Sequence, residues 1–159
     1  MGYDKYISLL GVLVAYNGDS KDIKLPESVK QIGKQAFYNN HNIETVTIPK
    51  GVNIIGLSAF AACKNLRSIH LPDSLTVIRK MAFHGCRQLE TISIPEGVIS
   101  IGDYAFWDCE NFKSINIPNS VLKIGIRTFW ECNRLSIHAP AGSYADYYAE
   151  SLQIPFFAE

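Results

Sequence analysis

From about residue 23 onward, apolar residues recur in two linked arrangements. The first is an alternating triplet such as Ile69-x-Leu71, with Ser68 and His70 in the intervening polar positions and a proline immediately after. Alternation of this kind predicts a short strand with Ile69 and Leu71 turned inward and Ser68 and His70 turned outward. Pro72 lacks an N–H, so it ends the strand and turns the chain away. The second arrangement is Leu75 and Ile78, apolar and three apart, which feed the same core from the next side. Ala82-Phe83 then fills the back of the coil, and Cys86 opens the next copy.

The whole unit repeats every 23 residues. Pro26, Pro49, Pro72, Pro95 and Pro118 keep that step, as do Phe37, Phe60, Phe83, Phe106 and Phe129, and Ile32, Ile55, Ile78, Ile101 and Ile124. Cys63, Cys86, Cys109 and Cys132 fall on it too, with Asn40 in the first slot. One such unit cannot bury its own apolar side, whereas stacked copies make a continuous core in which each touches only its neighbours. The pattern therefore predicts a solenoid with a curved parallel β-sheet and irregular or short helical backs. Strands are expected near Ile23, Val46, Ile69, Ile92, Ile115 and Ile137, forming one sheet, with a buried phenylalanine ladder. Gly33, Gly56, Gly102 and Gly125 form a column read as a bend of positive φ, which would put strain on Arg79 in the same slot.

Both ends depart from the period. Residues 1–22 contain GVLVAYNG, in which Asn17-Gly18 reads as a hairpin turn. Tyr6–Tyr16 has the length of a signal-peptide core, but Asp4 offsets Lys5 and no small-x-small cleavage site follows, so the segment is read as a folded cap. Any export leader is expected upstream of it. At the other end, Ile137 comes one residue early and the last strand is expected to be irregular. Ser143 with Asp146 marks a helix start; Tyr147, Tyr148 and Leu152 supply its apolar side, and Ile154–Phe157 closes as an extended piece. The division is an amino-terminal cap (1–22), a solenoid of five full repeats and a partial one (23–138), and a carboxy-terminal helical cap (139–159).

Composition narrows the function without assigning it. Lys and Arg number 15 and Asp and Glu 15, a balance that lacks the basic excess of a phosphate-backbone binder and argues against nucleic acid. At 47% hydrophobic and 19% charged the chain can fill a core, and no apolar run reaches the eighteen residues of a membrane span.

The consensus I-x-I-P-x-x-V-x-x-I-G-x-x-A-F-x-x-C, seen as INIPNSVLKIGIRTFWEC and ISIPEGVISIGDYAFWDC, resembles the BspA-like leucine-rich repeats. The resemblance covers about residues 23–138; Arg79, and Thr128 where alanine is usual, depart from it. It implies a cell-surface or secreted protein of bacterial or protozoan type, some members being adhesins for host proteins. No binding residue can be carried over, because the motif defines none.

Candidate chemistry is sparse. The cysteines lack C-x-x-C spacing, and their ladder vectors run alongside one another rather than toward each other, so buried reduced thiols without metal or disulfide are expected. His41, His70, His84 and His138 stand in no H-E-x-x-H pattern and beside no nucleophile with an orienting acid. No cofactor and no enzyme activity are expected. Two surfaces remain. The column after the core phenylalanine holds Tyr38, Ala61, His84, Trp107 and Trp130; it mixes residue types, points outward, and would form an aromatic strip suited to a protein or glycan. The second is the outer strand face, represented by His70, Thr91, Ser93 and Asn116, which reads first as a solvated sheet face; its Thr-x-Thr pattern survives only at Thr45 and Thr47, too little for an ice-binding ladder. The sequence thus points to a non-catalytic recognition module for an extracellular protein, or to a structural spacer of a larger surface protein, with an enzyme of unrecognised type as the remote alternative. Self-association is compatible with either.

Overall fold

The computed structural model describes residues 5–159; Asp4, read above against Lys5, lies outside them. The chain winds as a β-solenoid of about six coils. Its inner strands are β3 (Asp22–Lys24), β5 (Thr45–Thr47), β7 (Ser68–His70), β9 (Thr91–Ser93), β11 (Ser114–Asn116) and β13 (Ser136–Ala139). They pair in parallel at the expected centres, for example Ile23↔Val46 and Ile115↔Ile137. The strand at Ile137 holds this register despite its shorter interval.

These strands form two ladders rather than one sheet: β3-β5-β7 and β9-β11-β13-β14, the last being Phe156–Ala158. The Ile94 and Ile117 N–H groups each reach the next coil, at 2.9 and 2.8 Å, whereas Leu71 makes no corresponding bond among the described residues. A gap lined by Arg67, Gln88, Glu90 and Thr91 opens at the same boundary.

The backs contain no helix. The Ile32 column forms a second parallel ladder of two-residue strands, β4 (Gln31–Ile32), β6 (Ile54–Ile55), β8 (Val77–Ile78), β10 (Ser100–Ile101) and β12 (Lys123–Ile124). After each comes a run of consecutive turns. Alternate N–H groups bond three residues back within the coil, and the others cross to the next coil: Phe60 to Ala82 O at 2.8 Å, Phe83 to Ala105 O at 2.7 Å. This spiral needs left-handed backbone at two columns per coil, Gln35/Ser58/Met81/Tyr104/Arg127 and Asn39/Ala62/Gly85/Asp108/Glu131.

That corrects the reading of the conserved-spacing glycines. Gly33, Gly56, Gly102 and Gly125 are not at positive φ; a Cβ on Gly102 would sit 2.5 Å from Lys80 N, and one on Gly56 2.7 Å from Gly33 C. Close approach of neighbouring coils, not left-handed geometry, selects glycine. Arg79 carries no positive φ, and its N–H makes the column's ordinary bond, to Ile55 O at 2.9 Å.

The core is a set of ladders. Phe37, Phe60, Phe83 and Phe106 are fully buried, with successive ring centroids 4.7, 5.4 and 5.1 Å apart and nearly parallel planes. Those separations follow the ~4.8 Å spacing of paired strands. Tyr16 extends the stack below Phe37, and Tyr148 closes it edge-on against Phe129. Thr128, in the alanine column, is buried with its hydroxyl donating to Gly125 O at 2.8 Å.

The amino-terminal cap is a hairpin of β1 (Tyr6–Leu9) and β2 (Val12–Tyr16), antiparallel to each other, with β2 parallel to β4. Its turn is Leu10-Gly11, both at positive φ as a primed turn demands, and not Asn17-Gly18, which follows β2 in a loop. At the other end α1 (Tyr144–Leu152) starts at Ser143, whose Oγ accepts from Asp146 N. Ala145 and Ala149 make its buried face with Tyr148 beside them, whereas Tyr147 and Leu152 are exposed, contrary to the expected apolar side. Among the described residues no helix is long and apolar enough to cross a membrane.

Candidate functional site

The turn run that follows each buried phenylalanine fixes where the next side chain goes. Phe83 points into the stack, so His84 leaves it on the opposite side of the turn, and the same holds for Trp107 and Trp130. The column does not project evenly. Tyr38 and Trp130 are exposed at 55% and 51%, His84 and Trp107 are half-buried, and Ala61 is buried. Ala61 leaves a gap between Tyr38 and the rest, so Tyr38 stands apart.

His84 and Trp107 are brought together: their rings stack with centroids 4.8 Å apart and planes 23° from parallel. Tyr104 tilts against the same indole at 5.5 Å, and Lys80 sits 5.7 Å from the Tyr104 ring centroid. The Trp107 Nε1–H is buried without an acceptor among the described residues, so stacking rather than hydrogen bonding holds that ring. Trp130 is instead faced by the Arg127 guanidinium, 4.9 Å from its ring centroid. A cation in that position gains from the ring quadrupole while leaving much of the indole open. Tyr104 and Arg127 were not singled out from sequence; both lie in the left-handed column three residues before the tryptophans, which is the signal that could have found them.

The second surface is divided. Thr91, Ser93 and Asn116 are exposed on β9 and β11 of one ladder, and His70 is exposed on β7 of the other. Asn116 Nδ2 lies 3.4 Å from Glu159 Oε1, and the His138 ring stacks on Phe157 at 5.0 Å. His70 borders a separate groove with Lys24, Thr47, Lys50, Asp73 and Ser74.

Cys63, Cys86, Cys109 and Cys132 are free and buried. Each thiol donates to the phenylalanine carbonyl of the preceding coil, at 3.1, 3.2, 3.2 and 3.0 Å to Phe37, Phe60, Phe83 and Phe106. Burial pushes the Cys63 thiol up to about 12 and raises Cys86 and Cys109 well above the ordinary range, which keeps them protonated and poor nucleophiles. Asn40, in the first cysteine slot, uses its Oδ1 to accept from Asn42 N and Ile43 N. Among the described residues no three His, Cys, Asp or Glu side chains are grouped so as to hold a metal ion.

The BspA type leucine rich repeat region matches residues 14–136 in six copies. The chain belongs to that family. Solved structures similar to it include the T. pallidum leucine rich repeat protein, 34% identical with a TM-score of 0.79, covering 80% of this chain and 62% of that one. A leucine rich cell surface protein from Faecalibacterium prausnitzii is also 34% identical, with a TM-score of 0.80, covering 87% of this chain and 37% of that one. A leucine-rich repeat protein from Bacteroides ovatus is 40% identical with a TM-score of 0.70 over 74% of this chain and 31% of that one. The BspA-type chain thus spans less than two thirds of the length of each. No curated protein matches the sequence.

Proposed function

We propose that this BspA-type chain is a non-catalytic recognition module acting outside the cell or at its surface, and that it binds a protein through the His84–Trp107–Trp130 strip. The observation that carries the reading is the pairing of an open indole, Trp130 under Arg127, with a stacked and pre-set pair, His84 on Trp107. Rings already held in place bury apolar area on binding while ordering few rotatable bonds, which is how aromatic anchors gain affinity. In this reading the solenoid 23–138 provides the rigid spacing, with the described residues 5–22 and residues 139–159 closing its ends. The description of one solved relative as a cell surface protein supports the location.

The spacer reading draws on a different observation: Trp107 is half covered by His84 and Tyr104, as a structural lid would be. Capture from a set of extracellular proteins and glycans separates the two. Wild type is expected to retain a protein that Trp130→Ala and His84→Ala lose. Retention of a glycan alone moves the partner class, and equal capture by all three chains removes the strip from the account.

A further inference from the structure

The two ladders of the solenoid meet solvent with different chemistry. Ahead of the front strands the charges alternate from coil to coil, as Lys21, Glu44, Arg67, Glu90 and Lys113, so that they neutralise one another. Lys21 pairs with Glu44 at 2.7 Å and Lys113 with Glu90 at 2.6 Å. The outer face of the Ile32 ladder is instead apolar and basic. Ile54, Leu57 and Val77 lie half-buried on it, and Ile99 and Leu122 are exposed. Its charged residues are Lys30, Lys34, Arg79, Lys80 and Lys123 against a single carboxylate, Asp103. Arg79, Lys80 and Lys123 make no ion pair among the described residues, and one oxygen of Asp103 is taken by the Ile126 N–H at 2.9 Å.

Arg79 is the member of this face that packing does not explain. The other copies of its slot hold glycine, because a Cβ on Gly56 or Gly102 would press on the backbone of the coil before it, at 2.7 and 2.5 Å. Arg79 alone places a side chain there, and it is exposed. Around it runs a groove of about 390 Å³, lined by Leu57, Val77, Lys80, Asp103 and Lys123. Arg79 and Lys123 stand two coils apart, ~10 Å at the spacing of paired strands, which about three extended residues span. Leu57 and Val77 are recessed between these cations, which suits the entry of side chains rather than a bilayer, whose anchors must protrude.

We propose that this groove docks an acidic segment of a protein partner, with carboxylates on Arg79 and Lys123 and apolar side chains laid against Leu57 and Val77. Charge complementarity selects the partner: the face holds unpaired cations beside apolar surface, and a guanidinium takes a carboxylate through two parallel hydrogen bonds. Recognition of acidic motifs by arginine works in this way. The groove uses neither His84, Trp107 nor Trp130, so it stands or falls independently of the strip. Lys80 also faces a neighbour of the strip, Tyr104, at 5.7 Å, and is left unvaried below.

The test is an NMR titration of the 15N-labelled chain with a heptapeptide carrying glutamate at every third position and leucine between. Saturable shifts are expected at residues 77–80, 100–103 and 123, weakening as salt is added. Arg79→Gly installs the residue that the other copies carry, and Lys123→Gln keeps the side-chain length, so the two probe the groove without opening the core. Each is expected to weaken binding by ~10-fold or more. Peptides with lysine for glutamate, or serine for leucine, should bind more weakly than the parent. The absence of saturable shifts, shifts confined to Trp107 and Trp130, unchanged affinity in both variants, or equal binding of either control peptide would each overturn the proposal. So would flotation of the chain with phosphatidylglycerol vesicles that Arg79→Gly abolishes, which would make the partner a membrane.

Discussion

Replacing Phe83 by alanine removes a ring from the middle of the stack. Phe83 is fully buried between Phe60, 5.4 Å away and 4° from parallel, and Phe106, 5.1 Å away and 11° from parallel. Burial of one such side chain is worth ~1.5–3 kcal/mol, and two stacked partners add ~0.5–1.5 kcal/mol each. Together these give ~2.5–6 kcal/mol, which brackets the ~3–5 kcal/mol found when core phenylalanines are truncated and expected here. The neighbouring coils cannot close the cavity, because their positions are set by backbone bonds such as Phe83 N to Ala105 O, which the substitution leaves intact. Phe129→Ala, at the end of the stack with Tyr148 edge-on, should cost about 1 kcal/mol less, having only one stacked coil neighbour. Equilibrium urea unfolding of the three chains measures both losses. A loss below ~1 kcal/mol at Phe83, or a larger loss at Phe129 than at Phe83, would refute the argument from stacked coils.

Other substitutions probe the backbone and the thiols. Gly102→Ala sets a Cβ 2.5 Å from Lys80 N and should cost ~1–3 kcal/mol by overpacking, read as a lowered urea midpoint. Ala62→Gly, at φ 60° in a column where Gly85 already stands, should gain about 0.5–1 kcal/mol, the relief of left-handed strain less the added unfolded-state entropy. The thiols should resist alkylation until the chain unfolds, with Cys132, at 8% the most exposed of the four, reacting first. Because Cys63 ionises near 12 when folded and the unfolded thiol near its ordinary value of about 8.5, its contribution is fully present below about pH 8.5. As pH rises from there toward 12 it is lost at about 1.4 kcal/mol per pH unit. The alkaline limb of a stability–pH curve should accordingly be shallower for Cys63→Ala than for wild type.

Much of this fold was legible because a repeat states its own register. The columns of Ile32, Phe37 and Cys63 required no propensity argument; their common interval alone placed them one above another. Of the irregular or short helical backs expected, the irregular kind is present, and its two-residue strands were not foreseen because they and the consecutive turns leave no hydrophobic period to detect. The left-handed positions are occupied by Gln35, Ser58, Met81, Tyr104 and Arg127, residues that do not announce positive φ. The glycines that did look like bends are selected by coil-to-coil contact instead. At the ends, Asn17-Gly18 was the stronger local turn signal, yet pairing of β2 with β4 fixed the hairpin turn at Leu10-Gly11. The strip was legible as a column but not as a surface. That Ala61 interrupts it, that His84 lies on Trp107, and that Arg127 covers Trp130 depend on side-chain directions within the turn run.

The central claim, that this BspA-type solenoid recognises a protein through its aromatic strip, is tested most directly by titrating the captured partner against wild type and Trp130→Ala while following the thermal midpoint of both. An exposed anchor truncated to alanine should weaken binding by roughly tenfold or more, about 1.4 kcal/mol or greater, with the midpoint essentially unchanged. Equal affinity for the two chains, or a variant that loses binding only because its midpoint collapses, would contradict it.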